Sequence, residues 1–163
     1  MHESSIAADL PKPKLYAELA RELQSLIAGE PDDIANFANA SALLFNSLPD
    51  LNWAGFYLLK RGELVVGPFQ GKPACVRIAM GKGVCGTSAA RRATILVTNV
   101  HDFPGHIACD SASNSEIVVP MIAGDELLGV LDLDSPTLAR FDEEDQAGLE
   151  EFVATLLRQI RPA

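Results

Sequence analysis

Apolar side chains recur at helical spacing near both ends of the 163-residue chain. The first stripe consists of Leu15, Leu19, Leu23 and Leu26. Asp32 can cap a second helix that stops before Pro49. The last segment keeps the helical period up to Ile160 and opens with an acidic run at residues 142–145, where the helix dipole favours acids. The pattern predicts two N-terminal helices and one C-terminal helix, preceded by a loose arm over residues 1–14.

Between these helices the pattern changes to short apolar runs bounded by turn residues, which is typical of strands. The runs NWAGFYLLK and ELVVGPFQ flank Arg61-Gly62, and EIVVPMIA and ELLGVLDLD flank Gly124-Asp125, so each pair predicts a β-hairpin. The runs ACVRIAM and ATILVTNV predict two more strands, and Pro120 predicts an irregularity or an edge position. The element order predicts an α+β fold, with helices packed against a mainly antiparallel sheet of about six strands.

Composition fits one domain spanning residues 1–163, since 48% of the residues are apolar and 21% are charged. A formal net charge of −9 argues against nucleic acid or an anionic membrane as the main partner. The N-terminus shows no secretory pattern and no apolar run is long enough to span a bilayer, so we predict a cytoplasmic protein. Three cysteines are too few for a disulfide scaffold and indicate metal or redox chemistry, or no function.

The segment GHIACDSASNSE places Cys109 among small and polar residues. Buried cysteines usually have aliphatic neighbours, whereas a substrate can reach a thiol in such a loop and backbone N–H groups can stabilise its thiolate. The alternative is an exposed cysteine without a function. This segment is therefore a candidate nucleophile site.

Two carboxylates, Asp132 and Asp134, share one face of a predicted strand beside apolar residues. They mark either a solvent-exposed strand end or a pair aimed into a pocket. In a pocket, repulsion and burial would raise one pKa and leave a proton donor. Trp53 has a similar pair of interpretations, because large aromatic residues anchor cores as well as sites.

Residues Gly81 to Gly86 match G-x-G-x-x-G ahead of a predicted short helix, Ser88 to Arg92. A dinucleotide site is disfavoured because the chain lacks the alternating strands and helices of a parallel sheet. A zinc site could combine Cys75, Cys85 and Cys109 with one of the chain's histidines, His101 or His106. These ligands lack the close C-x₂-C pairing of structural zinc sites, which disfavours this interpretation.

The predicted architecture resembles the GAF domain. The runs NWAGFYLL, GPFQGKPACVRI, GKGVCGTSA, HDFPGHIACDSASNSEIVVP and GVLDLDSPTLARFDEEDQ are similar to those of the free methionine-R-sulfoxide reductases, a small enzyme family with that fold. The resemblance extends from about Leu15 to the end of the chain. Its most specific part is the set of segments that contain cysteine.

The resemblance implies a role for each cysteine. Cys109, in HIACDS, corresponds to the nucleophile that attacks the sulfoxide sulfur, and Cys75, in KPACVRI, corresponds to the resolving cysteine. Cys85, in GVCGTS, corresponds to a third cysteine that acts as a secondary resolver. The resemblance therefore implies a Cys75–Cys109 disulfide after turnover, which a thioredoxin-like dithiol reduces.

The same resemblance implies a binding pocket with carboxylates Glu116, Asp132 and Asp134 and with aromatic residues Trp53 and Tyr57. A neutral carboxylic acid there can protonate the departing oxygen, and the remaining carboxylates can bind the substrate ammonium.

Backbone N–H groups around Asp110 and Ser111 are candidate donors to the substrate carboxylate. The expected substrate is free methionine-R-sulfoxide, with no metal or other cofactor, and the family suggests a homodimer. The alternative is a GAF-type sensor that binds a small molecule without catalysis. It is disfavoured because the chain shows no segment that would receive a signal.

Overall fold

An antiparallel sheet of six strands organises the part of the chain that the structure describes, residues 2–107 and 109–160 of a computed structural model. The strands are β1 (Trp53–Lys60), β2 (Glu63–Gly71), β3 (Arg77–Ala79), β4 (Ile95–Val97), β5 (Ser115–Ala123) and β6 (Glu126–Ser135). Their order is β3-β2-β1-β6-β5-β4, so the hairpins β1–β2 and β5–β6 join through β1 and β6. The predicted antiparallel sheet and both predicted hairpins are confirmed.

Four α-helices flank the sheet within the described residues. They are α1 (Lys12–Ile27), α2 (Asp33–Ser47), α3 (Gly83–Arg91) and α4 (Glu143–Ile160). As predicted, Asp32 caps α2, because its carboxylate accepts a hydrogen bond from the Ala35 N–H at 2.9 Å. α1 begins at Lys12, inside the stretch predicted as an arm, and Ile6 and Leu10 of that stretch pack against the core. None of the described helices combines the length and hydropathy needed to cross a bilayer.

The two faces of the sheet bury different side chains, because successive residues of a strand point to opposite sides. On the first face, Phe56 and Leu133 belong to a core shared with α1, α2 and α4. On the second face, Tyr57 and Val130 belong to a smaller core shared with α3. The helical layer therefore covers the first face, and the second face is left to α3 and to the loops that form the site.

Cys75 lies in a loop and not in a strand. The run ACVRIAM is extended only over Arg77–Ala79, so the prediction that this strand includes Cys75 was wrong. Ladder pairing with β2 starts at Arg77, opposite Val65. The Cys75 carbonyl instead accepts a hydrogen bond from the Tyr57 hydroxyl at 2.9 Å, outside the ladder. This bond fixes the loop beside the second face of the sheet.

The glycine-rich segment before α3 is a tight turn that leads into the helix. α3 begins at Gly83, earlier than the predicted start at Ser88. Gly83 has a φ of +59°, and a Cβ on Gly86 would lie 2.4 Å from the carbonyl oxygen of Ala79. Glycine therefore allows the first turn of α3 to pack onto the end of β3. This close packing places Cys85 against the sheet, and the G-x-G-x-x-G pattern has a structural explanation.

Pro120 lies where β5 has lost its outer neighbour. β4 pairs with β5 only up to Val118, so the missing N–H of Pro120 costs no ladder bond on that side. The β5–β6 register shifts directly afterwards, between Met121 and Ile122. The predicted irregularity at this proline is confirmed.

Candidate active site

Polar side chains interrupt the second face of the sheet at one end of its central strands. Asp134 of β6 lies opposite Trp53 of β1 on one side and opposite Glu116 of β5 on the other. Asp132 lies opposite Gly55 of β1. Because cross-strand partners share a face, Trp53 and the three carboxyl groups project to the same side of the sheet.

A cavity covers this part of the sheet. Its floor consists of Trp53, Tyr57, Glu116, Asp132 and Asp134. Its walls consist of Lys72 to Ala74, Lys82 to Cys85, His106, Ile107, Cys109, Asp110 and Ser113, together with Ile78. The interpretation of Asp132 and Asp134 as a pair aimed into a pocket is therefore correct, and the solvent-exposed strand end is excluded.

A disulfide joins Cys75 to Cys109 at the wall of this cavity. The two Cα atoms are 5.6 Å apart, although 34 positions separate the residues in sequence. Cys75 is half-buried, whereas Cys109 is exposed. The pairing implied by the family resemblance is thus present, and a dithiol can approach it from the Cys109 side.

The carboxyl groups of the floor are held largely away from water. Glu116 is 6% exposed and Asp132 is 5% exposed. Burial raises the pKa of Asp132 to about 6. Burial, reinforced by repulsion from Asp132, raises the pKa of Glu116 and of Asp134 well above the ordinary carboxyl range. Each of the three groups therefore loses its proton at a higher pH than an isolated carboxylic acid would.

Cys85 is a free, buried thiol within the same cluster. It is 4% exposed, and its Sγ lies 3.9 Å from Oε1 of Glu116. Burial and the nearby carboxyl groups of Asp132 and Glu116 raise the pKa of this thiol well above its ordinary value. Cys85 therefore remains protonated and is a poor nucleophile in this environment.

The two aromatic residues belong to the core as well as to the cavity. Trp53 is 4% exposed and Tyr57 is 2% exposed, and their ring centroids are 5.8 Å apart. The Trp53 indole N–H donates to the Lys72 carbonyl at 3.2 Å, and the Tyr57 hydroxyl donates to the Cys75 carbonyl. Both interpretations of Trp53 therefore hold, since the ring anchors the core and walls the cavity.

The loop after Cys109 is held by Asn52, a residue that sequence reasoning did not single out. Asn52 Nδ2 donates to Asp110 Oδ2 at 3.1 Å and to Ser113 Oγ at 3.0 Å. The Ala112 N–H donates to Asp110 Oδ1 at 2.8 Å and lowers the pKa of this carboxyl group. The resulting turn leaves Ser111, a predicted substrate contact, exposed and outside the cavity. The buried Ser113 lines the cavity instead.

Known proteins share both the fold and the sequence of this site. The GAF domain family matches residues 22–160. The chain is 54% identical over 145 residues to the free methionine-R-sulfoxide reductase of Escherichia coli K12, covering 89% of this chain and 88% of that protein. The chain belongs to the free methionine-R-sulfoxide reductase family, within the GAF domain proteins. The expectation drawn from the sequence motifs is thereby confirmed.

Two further members of the reductase family support the assignment. The free methionine-R-sulfoxide reductase of Saccharomyces cerevisiae is 42% identical over 154 residues, covering 90% of this chain and 86% of that protein. The structure of the Neisseria meningitidis enzyme in complex with its substrate superposes with a TM-score of 0.93 at 43% identity. That match covers 98% of this chain and 96% of the other.

His106 also lines the cavity, although the sequence analysis gave it no catalytic or substrate-binding role. Its Nε2 lies 3.9 Å from Oε2 of Glu116, in the cavity wall. Burial lowers the pKa of His106, while burial raises that of Glu116, and both shifts disfavour an ion pair between the two groups. Its position three residues before Cys109 was the one feature of the sequence that could have indicated its place in the site.

The zinc site considered from the sequence is not assembled in this reductase family member. Cys75 and Cys109 are bonded to each other and cannot both serve as thiolate ligands. His101 is exposed, lies outside the cavity and contacts Asn114 Oδ1 at 2.9 Å. A zinc site with three thiolate ligands is therefore incompatible with the disulfide-bonded protein.

Proposed function

We propose that this chain reduces free methionine-R-sulfoxide to methionine, with Cys109 as the nucleophile and Cys75 as the resolving thiol. The observation that carries the proposal is the Cys75–Cys109 disulfide beside a cavity floored by three protonatable carboxyl groups. A thiol pair and a neutral acid are the two groups that sulfoxide reduction requires.

In the first step the Cys109 thiolate attacks the sulfoxide sulfur. The sulfoxide oxygen accepts a proton and is transferred to Cys109, so that methionine leaves and a sulfenic acid remains on the enzyme. The proton comes from the cluster of Glu116, Asp132 and Asp134, because burial raises the pKa of each of these carboxyl groups. Substrate sulfur is reduced and the Cys109 sulfur is oxidised by the same two electrons.

In the second step the Cys75 thiol condenses with the sulfenic acid, releasing water and forming the disulfide. Cys85 is a poor candidate for this role, because burial among carboxyl groups suppresses its thiolate. A thioredoxin-like dithiol then attacks the exposed Cys109 sulfur, returns both cysteines to thiols and is itself oxidised.

The cavity offers a complementary surface for each part of the amino acid. The Trp53 ring supplies an apolar wall for the S-methyl group, since sulfur–aromatic contacts are favourable. An ionised carboxylate of the floor binds the ammonium group. Backbone N–H groups of the turn that begins at Asp110 are donors for the substrate carboxylate.

The direct test is to incubate the pure protein and a dithiol with each epimer of free methionine sulfoxide and to measure methionine. The R epimer should be consumed and the S epimer should remain. Turnover of both epimers at similar rates, or of neither, would contradict the proposal. Thioredoxin should replace the small dithiol, and a Cys109→Ser variant should be inactive with either reductant.

We further expect a cytoplasmic homodimer that acts without a bound cofactor. A reducing compartment supplies the dithiol that the catalytic cycle consumes. Sedimentation of the oxidised and reduced protein tests the oligomeric state, and activity that survives dialysis against a chelator tests independence from metal.

A further inference from the structure

The cavity brings a thiol and two carboxyl groups together from three separate elements. Cys85 comes from α3, Glu116 from β5 and Asp132 from β6. One potential ligand atom of each residue lies within 4.8 Å of the corresponding atoms of the other two. All three side chains are about 95% buried, so this is not a cluster of surface acids.

The hydrogen bonds within the cluster do not reach all of its buried polar atoms. Oδ1 of Asp132 is buried and has no hydrogen-bond partner among the described residues. The Cys85 contact to Glu116 is long, at 3.9 Å between Sγ and Oε1. An unpaired buried polar atom costs free energy, and most such atoms in proteins have a partner. At least one buried oxygen of the cluster, Oδ1 of Asp132, is therefore available to a ligand.

We propose that Cys85, Glu116 and Asp132 form a binding site for a divalent cation of borderline softness, with Zn²⁺ as the representative ion. One thiolate with two carboxylates suits Zn²⁺ better than Mg²⁺ or Ca²⁺, which prefer oxygen ligands alone. His106 lies beside this set, with its Nε2 3.9 Å from Oε2 of Glu116, but it does not belong to the cluster of mutually close ligand atoms.

The distances require only a modest contraction. Ligand atoms around a tetrahedral Zn²⁺ lie about 3.3–3.8 Å apart, given metal–ligand bonds of about 2.0–2.3 Å. The three candidate atoms, now within 4.8 Å of one another, would have to approach by about 1 Å. Binding would release the protons that the thiol and the carboxyl groups hold.

The cation site overlaps the substrate site. Glu116 and Asp132 also line the cavity in which the proposed function places the substrate ammonium, and the overlap rests on that proposal. A bound cation and a bound ammonium would need the same negative charge. Zn²⁺ and methionine-R-sulfoxide should therefore exclude each other, which would make the metal an inhibitor of the reductase and not a cofactor.

The oxidised protein isolates the site, because the disulfide occupies two of the chain's three cysteines and leaves Cys85 as its one free thiol. Calorimetric titration with Zn²⁺ should show one equivalent bound. Titration with Cd²⁺ should produce a thiolate-to-metal charge-transfer band in the ultraviolet.

Cys85→Ser should abolish the band and weaken Zn²⁺ binding at least tenfold, and Asp132→Asn should weaken Zn²⁺ binding as well. Asp142→Asn, which alters an exposed acid outside the cavity, is the matched control and should change neither.

Equal Zn²⁺ affinity in the parent and in Cys85→Ser, or the lack of a thiolate band, would overturn the proposal. Competition is tested in the Cys75→Ser/Cys109→Ser double variant, which cannot turn over. Saturating methionine-R-sulfoxide should lower its apparent affinity for Zn²⁺. A protein that reduces the sulfoxide but binds no Zn²⁺ would refute the metal site alone. A protein that binds Zn²⁺ at Cys85 but reduces neither epimer would refute the proposed function alone.

Discussion

Glu116 and Asp134 face each other directly across strands β5 and β6, with their carboxyl groups on the same side of the sheet. Like charges at such positions repel, and burial adds a desolvation cost for each charge. The folded protein reduces both costs by holding protons, as the raised pKa values of these groups indicate. The protons that relieve this repulsion are therefore also the ones that the proposed reaction would use.

The first prediction is that stability falls as pH rises through the weakly acidic range. The pKa of Asp132 is raised from 3.8 to about 6 in the folded protein, so between these values the folded state binds more protons than the unfolded state. Stability must then decrease with increasing pH over that window. Asp132→Asn removes this penalty and should stabilise the protein at pH 7.5 by roughly 1–3 kcal/mol, with the gain disappearing near pH 4.

Urea unfolding of the oxidised protein across this pH range measures the effect. Asp142→Asn is the control of opposite sign, because Lys12 lowers the pKa of Asp142 to about 2. Removing that exposed carboxylate should reduce stability slightly at neutral pH and should have less effect as pH falls. Parallel pH profiles for the two variants would contradict the opposite pKa shifts of Asp132 and Asp142.

The second prediction separates the two candidate resolving cysteines. One equivalent of methionine-R-sulfoxide without reductant should convert Cys85→Ser to the Cys75–Cys109 disulfide as completely as the parent. Cys75→Ser should instead accumulate a sulfenic acid on Cys109, because the Cys85 thiol is buried and protonated. Intact mass and trapping with dimedone distinguish the two products. A rapid Cys85–Cys109 cross-link in Cys75→Ser would assign resolution to Cys85.

The third prediction concerns the proton donor. Glu116→Gln and Asp134→Asn should lower kcat/KM by about 10²–10⁴ at neutral pH, because an amide of the same shape cannot deliver a proton. Ser111→Ala is the matched control, since Ser111 is close in sequence but exposed and outside the cavity. Rates like the parent's in both amide variants would show that neither Glu116 nor Asp134 donates the proton.

Local patterns in the sequence predicted most of the fold. Alternating apolar residues determined which face of β6 Asp132 and Asp134 occupy, since the period of a strand leaves only two choices. The two hairpins followed from Arg61-Gly62 and Gly124-Asp125, whose backbone freedom suits a tight turn. These features depend on neighbours in sequence, which is why they could be predicted without the fold.

Long-range contacts account for what the sequence did not predict. Cys75 lies outside its predicted strand, where it contacts two residues distant in sequence, Tyr57 through its carbonyl group and Cys109 through its sulfur. Asn52 could not be linked to the loop of Asp110 before the fold placed them together. Ser111 and Ser113 look equivalent in sequence, and only the turn closed by Asp110 separates the exposed serine from the buried one.

The fourth prediction tests the packing of α1 against α4. A Cβ on Gly148 would lie 2.1 Å from Cγ of the Tyr16 ring, and that ring is held because its hydroxyl donates to buried Asp145 at 2.8 Å. Gly148→Ala should therefore destabilise the protein, although alanine favours an isolated helix by about 1 kcal/mol. Thermal unfolding measures this loss of stability. If Gly148→Ala cost less stability in a Tyr16→Ala background than in the parent, the clash with the ring would be shown to be the cause.

The fifth prediction is that the enzyme acts on the free amino acid and not on methionine sulfoxide within a protein. The cavity supplies buried carboxyl groups at Glu116 and Asp132 for an ammonium, and a turn at Asp110 for a carboxylate. A site built to bind such groups rejects analogues that lack them by up to roughly 10⁴–10⁵, because its own polar groups are left unpaired.

The measurement compares kcat/KM for free methionine-R-sulfoxide with that for its N-acetyl derivative, its methyl amide and an oxidised peptide. Acetylation removes the ammonium charge and should be the more damaging of the two single changes, because it leaves the buried, ionised carboxylate of the floor without a cation. The methyl amide loses only the contact at the partly buried turn of Asp110, so its activity should fall less. The peptide lacks both charged ends and should be the poorest substrate. Comparable values across the four compounds would mean that the cavity recognises the side chain alone, and the assignment of these groups to the substrate's ends would be wrong.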